Sequence, residues 1–336
     1  MDNKKHKILV IGNGSWATAI YKILAFNQLK PLWWVRNKET REFILNYHHN
    51  PKYLSQVEIY TKPSHIDTDL KKQLKKSNIV VLAVPSKFIY ELLLPLKPKD
   101  FEGKIIISAV KGMVTPQESP LEYLHNHFII PEEKIVSISG PCHAEEVAAE
   151  RLSYLTFGGK SGYTTEMISR LFKNRFIKVS TSDDPHGTEY AAILKNIYAI
   201  LAGICHGLGY GDNFQAVLVS SALRELDHFL SAIYPDQRDL NQTCYSGDLL
   251  VTCYSQFSRN RTLGNMLGKG YSIKSAQLEM NMVAEGFDTS KHIYEISRKM
   301  ELKTPLIDAV YRILHQNIAP TIEVSILTNY LNQKIY

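Results

Sequence analysis

Long apolar runs, clustered cysteines and low-complexity tracts are all missing from this chain of 336 residues. No apolar run approaches the roughly 18 residues that a membrane span needs, so no membrane-spanning segment is expected. The four cysteines, Cys142, Cys205, Cys244 and Cys253, are scattered without metal-ligand spacing. Reduced thiols in a cytoplasmic protein are the default for that pattern, and no metal site is expected. No internal period of repeat length is present, which argues against a solenoid or propeller. The net charge of +6 suits an anionic ligand but is dispersed along the chain. Its densest basic stretch, "DLKKQLKKS" (69–77), reads as the wet face of a helix, so no nucleic-acid partner is expected. The opening "MDNKKHK" runs directly into an apolar strand, leaving no room for a signal peptide and favouring a cytoplasmic location.

What is there is globular. Apolar content of 44% and charged content of 21% allow a sizeable buried core, and the length suits two domains. "KILVIG" (7–12), "PLWWVR" (31–36), "NIVVLAV" (78–84), "KIIISAV" (104–110) and "KIVSISG" (134–140) are short apolar runs without polar alternation. Strands buried on both faces of a parallel sheet have this texture. Helical stretches lie between them, as at 15–27 and 38–48, so the alternation predicts a doubly wound α/β sheet of Rossmann type. Two more strands are expected at 153–159 and 176–182, joined by a helix near 163–174. Beyond "DDPHG" (183–187) the texture becomes helical throughout. The expected division is a dinucleotide-binding domain at 1–186 and an all-helical domain at 187–336.

"VIGNGSWATA" places Gly12, Gly14 and Ala17 between the first strand and the first helix, in a G-x-G-x-x-A pattern. The first glycine allows the tight turn and the second lets backbone approach a pyrophosphate. The small third residue permits close helix–strand packing, and the helix N-terminus at Ser15 and Trp16 faces the phosphates. At the tip of the second strand stands Arg36, where an acid would favour NAD and an arginine suits the 2′-phosphate of NADP. Both cofactors stay open, as does a solvated arginine. "AVPS" (83–86), "AVKGM" (109–113) and "SGPCHAEEV" (139–147) each follow a predicted parallel strand and so face the same crevice, unless they serve only as turns. In the helical half, "SGDLLVTCYSQFSRNR" (246–261) gathers Asp248, Ser258, Arg259 and Asn260. These groups could grip a phosphate or could cap an interhelical loop. Lys195 sits inside "EYAAILKNIYAILAG" (189–203), apolar on nearly every azimuth, where an ammonium either snorkels or acts.

These pieces, in this order, resemble the bacterial NAD(P)-dependent glycerol-3-phosphate dehydrogenases. The likeness runs through "GNGSWATA", "VPS", "KGM", "SGP", "AEEV", "LKN", "GLGYGDN", "GDLLVTC", "SRNR", "LGKG" and "VAEG". It implies a Rossmann domain followed by a helical domain of the 6-phosphogluconate-dehydrogenase type. It also implies hydride exchange between sn-glycerol 3-phosphate and dihydroxyacetone phosphate with NAD or NADP, supplying phospholipid synthesis, in a homodimer. By the same resemblance Ser15, Trp16, Arg36, Lys111, Ala144, Arg259, Val283 and Glu285 would touch the cofactor, with Gly12 and Gly14. Lys111, Gly140, Cys142, Lys195, Asp248, Ser258, Arg259 and Asn260 would surround the substrate, Lys195 being the acid–base group and Asp248 its partner. Three segments depart from the family pattern: Cys142 replaces a hydroxyl residue, "CYSGDL" (244–249) replaces "AGLGDL", and "LVSSALREL" (218–226) lacks an Arg-Gly pair. Two rival readings follow, a sibling 3-hydroxy-acid dehydrogenase and a nucleotide-binding sensor that has lost turnover.

Overall fold

The computed structural model describes residues 6–280 and 283–331; the opening "MDNKK" lies outside them. The chain forms two compact units, one of Met1–Val110 with Pro120–His186 and one of Lys111–Ser119 with Gly187–Tyr336. Lys111–Ser119, which a single cut after residue 186 assigns to the first unit, therefore belongs to the second.

The first unit is built on eight strands: β1 (Ile8–Ile11), β2 (Leu32–Trp34), β3 (Ile66–Asp67), β4 (Ile79–Leu82), β5 (Ile105–Ser108), β6 (Ile135–Ser139), β7 (Ser153–Gly158) and β8 (Ile177–Ser182). Their spatial order is β3-β2-β1-β4-β5-β6-β7-β8. Every neighbouring pair is parallel except β6 and β7. The central strands are apolar on both faces because helices cover both: Ile8, Leu9, Val10 and Ile11 are all buried. Those helices are α1 (Ser15–Phe26), α2 (Lys38–Tyr47), α3 (Leu70–Lys76), α4 (Ile89–Leu93), α5 (Pro120–Phe128), α6 (Ala144–Ala148) and α7 (Gly162–Phe172). The basic stretch forms α3, whose lysines are wet while Gln73 and Leu74 turn inward. The switch of direction beside β1, between β2 and β4, puts the loop after β1 at the crevice where such sheets bind ligands.

The described residues of the second unit contain no strand. Its helices are α8 (Pro185–Gly207), α9 (Asp212–Ile233), α10 (Asp248–Tyr254), α11 (Arg259–Gly268), α12 (Ile273–Glu279), α13 (Glu285–Lys299), α14 (Pro305–His315) and α15 (Pro320–Thr328). α8 is the axis of the core: Ile193, Leu194, Ile197, Ala199, Ile200 and Leu201 are fully buried. α11 packs against it backbone to backbone. A Cβ on Gly264 would lie 1.9 Å from the Ile200 oxygen, and one on Gly203 would lie 2.1 Å from the Arg261 oxygen. Gly207 and Gly268 repeat the same arrangement one turn further on. Glycine at these positions lets the helix axes approach more closely than side chains allow. The divergent "LVSSALREL" segment lies in α9, where the buried Glu225 carboxylate accepts from the Leu306 and Ile307 N–H groups at 2.8 and 3.0 Å. It thereby caps α14. Among the described residues no helix is long and apolar enough to cross a membrane.

Candidate active site

The glycine loop is the candidate binding site of the first unit. Gly12 has φ +125°, and a Cβ there would stand 2.3 Å from the Ala83 oxygen, so no other residue fits. Its amide donates to the Trp34 oxygen at 3.2 Å, and the Trp33 indole donates to its oxygen at 2.6 Å. Both bonds tie the loop to β2. Gly14 is the N-cap of α1, with no side-chain cap on that terminus. A Cβ on Gly14 would have nothing within 4 Å. The Trp16 indole Nε1 is buried without a hydrogen-bond partner among the described residues, an expense that proteins rarely leave unmet. An uncapped helix N-terminus, open space over a glycine and an orphaned donor together suit a dinucleotide pyrophosphate. Asn50, which sequence reading passed over, holds the loop by donating to the Asn13 oxygen at 3.0 Å and to Thr18 Oγ1 at 2.9 Å. Nothing in its local pattern marks it, since the contact spans more than thirty residues.

Three further expected residues lie in this unit. Gly140 follows β6 with φ +111°, its α-carbon hard against the Tyr154 backbone. Cys142 is half-buried against the sheet core. Ala144 begins α6, which packs on α1. Arg36 is exposed at the end of β2, with its guanidinium 5.4 Å from the Phe88 ring centre.

The second unit has its own set of buried polar groups. Lys195 does not snorkel: its side chain is 8% exposed, and its ammonium is ion-paired with the Asp248 carboxylate, itself 2% exposed. Two charges withdrawn from water need each other, because removing one partner leaves the other uncompensated. Asp248 opens α10 immediately after a single π turn, Thr243–Gly247. That turn is what the divergent "CYSGDL" forms, with Cys244 and Tyr245 in the core. Thr252 donates to the Asp248 backbone oxygen at 2.6 Å.

The neighbouring residue on α8, Asn196, donates to the Lys111 oxygen at 3.0 Å, so Lys111 is fixed to the second unit. Sequence reading quoted Asn196 within "LKN" without giving it a role; a buried amide beside a buried lysine was the available signal. Ser258 caps α11 by accepting from the Arg261 N–H at 3.3 Å. Arg259 and Asn260 occupy the first turn of that helix. Asn260 Oδ1 accepts from the Gly286 N–H at 3.0 Å, joining α11 to the first turn of α13, where Glu285 sits. Val283 is half-buried just before α13. The unit thus gathers Lys195 with Asp248, Lys111 with Asn196, and Asn260 with the Glu285–Gly286 turn. Gly12, Gly14, Ser15, Trp16, Arg36, Gly140, Cys142 and Ala144 belong to the other unit.

Two of the thiols, Cys205 and Cys253, are poor nucleophiles. Burial pushes Cys253 up to about 12 against the opposing charges of Lys195 and Arg261, and burial pushes Cys205 up to about 12 as well. Among the described residues no three His, Cys, Asp or Glu side chains form a metal-holding group.

Comparison with known proteins gives a consistent picture. Residues 7–163 match the family model of the NAD-dependent glycerol-3-phosphate dehydrogenase N-terminus, and residues 184–325 match that of the C-terminus. A glycerol-3-phosphate dehydrogenase [NAD(P)+] of Bacillus velezensis is 36% identical over 312 residues, covering 92% of this chain and 90% of the relative. That of Desulfotalea psychrophila is 34% identical, covering 94% of each. The crystal structure of glycerol-3-phosphate dehydrogenase from Coxiella burnetii superposes with a TM-score of 0.91 at 28% identity, covering 96% of this chain and 99% of that one.

Proposed function

The chain belongs to the NAD-dependent glycerol-3-phosphate dehydrogenase family, and from that premise we propose that it interconverts dihydroxyacetone phosphate and sn-glycerol 3-phosphate with Lys195 as its acid–base group. The observation that carries this reading is the buried Lys195–Asp248 ion pair. A bound nicotinamide dinucleotide, NAD(H) or NADP(H), would supply or accept the hydride, and Gly12, Gly14, Ser15 and Trp16 of the first unit would hold its pyrophosphate.

As the ketone is reduced, negative charge grows on its oxygen. The Lys195 ammonium stabilises that charge and donates a proton to it; in the reverse direction the neutral amine takes the proton back. Asp248 orients the lysine and compensates its charge. Asn260 spends its Oδ1 on Gly286, which leaves its Nδ2, without a partner among the described residues, as a donor toward the substrate phosphate. Arg259 and Lys111 supply the positive charge for that phosphate. Binding energy on a phosphate remote from the reacting carbon fixes the geometry of transfer. The active form is a homodimer, expected to scatter light at twice the chain's mass, and its product supplies phospholipid synthesis.

The test follows loss of reduced-nicotinamide absorbance with dihydroxyacetone phosphate for wild type and Lys195→Ala. The wild type turns over, and the variant loses about 10²–10⁴-fold in kcat, the usual worth of a positioned acid–base group. A folded, cofactor-binding wild type that turns over neither with this substrate nor with its reverse partner sinks the assignment and leaves the two rivals, which a panel of 3-hydroxy acids separates: turnover marks the sibling dehydrogenase, and none marks the sensor.

A further inference from the structure

The edge of the sheet beside the glycine loop carries two cations and has spent its acceptors. Arg36 extends from the end of β2, while Lys87 and Phe88 belong to a 3-10 turn, Ser86–Phe88, directly after β4. The strand order β2-β1-β4 places these two tips on either side of the β1 loop. The Arg36 guanidinium lies 5.4 Å and the Lys87 ammonium 5.1 Å from the same Phe88 ring centre. A cation over a ring face is held there by the ring quadrupole, so Phe88 holds both charges at the strand tips that flank the β1 loop. Both side chains are exposed, and neither has a carboxylate partner among the described residues.

The acceptors that a bare ribose would need are committed elsewhere. Asn37, next to Arg36, uses its side-chain oxygen to cap α2 through the Thr40 N–H at 2.9 Å. Asp67, which the β2–β3 register sets beside Trp34, pairs with Lys72 at 2.7 Å and accepts from the Thr68 N–H at 2.8 Å. Glu39 lies beyond the tip, inside the first turn of α2. An acid at this tip accepts from ribose hydroxyls, whereas unpaired cations attract a phosphate ester there.

We propose that Lys87 is a specificity-determining residue, forming with Arg36 over Phe88 a two-cation seat for a 2′-phosphate, so that this chain prefers NADP(H) to NAD(H). The inference rests on the reading that the first unit binds a nicotinamide dinucleotide. It is tested apart from turnover, by titrating the full-length protein with 2′,5′-ADP and with 5′-AMP in a calorimeter. Wild type binds 2′,5′-ADP at least tenfold more tightly. Lys87→Gln narrows that ratio about tenfold, and Lys87→Arg restores most of it. In steady-state assays the Lys87→Gln loss falls on KM for NADPH and not on kcat. A wild-type ratio near one, or an unchanged ratio in Lys87→Gln, overturns the proposal. A protein with the expected ratio that fails to reduce dihydroxyacetone phosphate would overturn the assigned reaction while leaving the seat intact.

Discussion

Glycine is used in opposite ways in the two units. Around Gly14 the missing side chain leaves open space, with nothing within 4 Å of where a Cβ would be. Around Gly264 that space is filled by the backbone of α8, with the Ile200 oxygen 1.9 Å from the absent Cβ. One glycine keeps room for a ligand; the other brings two helices together. The second use matters for the chemistry too, because α11 carries Arg259 and Asn260 in its first turn and α8 carries Lys195. Identical residues in a sequence therefore mark a binding loop in one place and a packing seam in another.

Substitutions can break this contrast. Gly264→Ala forces α11 off α8 and is expected to cost about 3 kcal/mol or more, at the upper end of overpacking effects. Chemical denaturation would show it, and activity would fall with the fold. Gly14→Ala should behave in the reverse manner. Its φ of −76° suits any residue, so the gain of about 0.4–1 kcal/mol from a stiffer unfolded chain is offset by the poorer N-cap that alanine makes, and stability is expected to change by less than about 1 kcal/mol. Cofactor affinity, read by fluorescence titration, should fall by about tenfold or more as the methyl group occupies the pyrophosphate space. A Gly14→Ala protein that binds cofactor normally would remove the loop from the site.

The smallest effect is a pH dependence. Burial holds His65 and His186 in the first unit, and His292 and His315 in the second, below the ordinary histidine value. Above about pH 6.5 both folded and unfolded chains carry these groups neutral, so their full contribution is present. As pH falls below that, the unfolded chain takes protons that the folded one refuses, and stability declines until the folded groups also titrate. Asp308, raised by burial, acts oppositely but in the lower carboxylate range. Thermal melts should drop by about 2–4 °C between pH 7.5 and 5.5 for each kcal/mol so lost. His292→Gln with His315→Gln should flatten part of the drop, since two of the four groups lie in the second unit.

Much of the sheet was legible because strands covered on both faces are apolar throughout, as "KILVIG" and "NIVVLAV" are. β3 was not, because a two-residue strand holding one buried isoleucine has no pattern to read. The antiparallel turn at β6–β7 was also hidden, since a buried strand has the same texture in either direction. Lys195 stood out as a charge in an apolar helix. Its pairing with Asp248, 53 residues away, could be anticipated only from likeness to a family. Asn50 and the placement of Lys111 depend on distant contacts that periodicity does not encode.

The excursion at Lys111–Ser119 has a consequence for dissecting this protein. The chain passes from one unit to the other at 110/111, returns at 119/120, and leaves again at 186/187. A gene fragment encoding 187–336 therefore lacks Met113, which is 3% exposed in the helical core, and the Lys111 carbonyl that receives Asn196. The helical half is not an independent cassette. Recombination that exchanges it as one continuous block would separate it from nine of its own residues, whereas a block beginning at Lys111 would carry all of them.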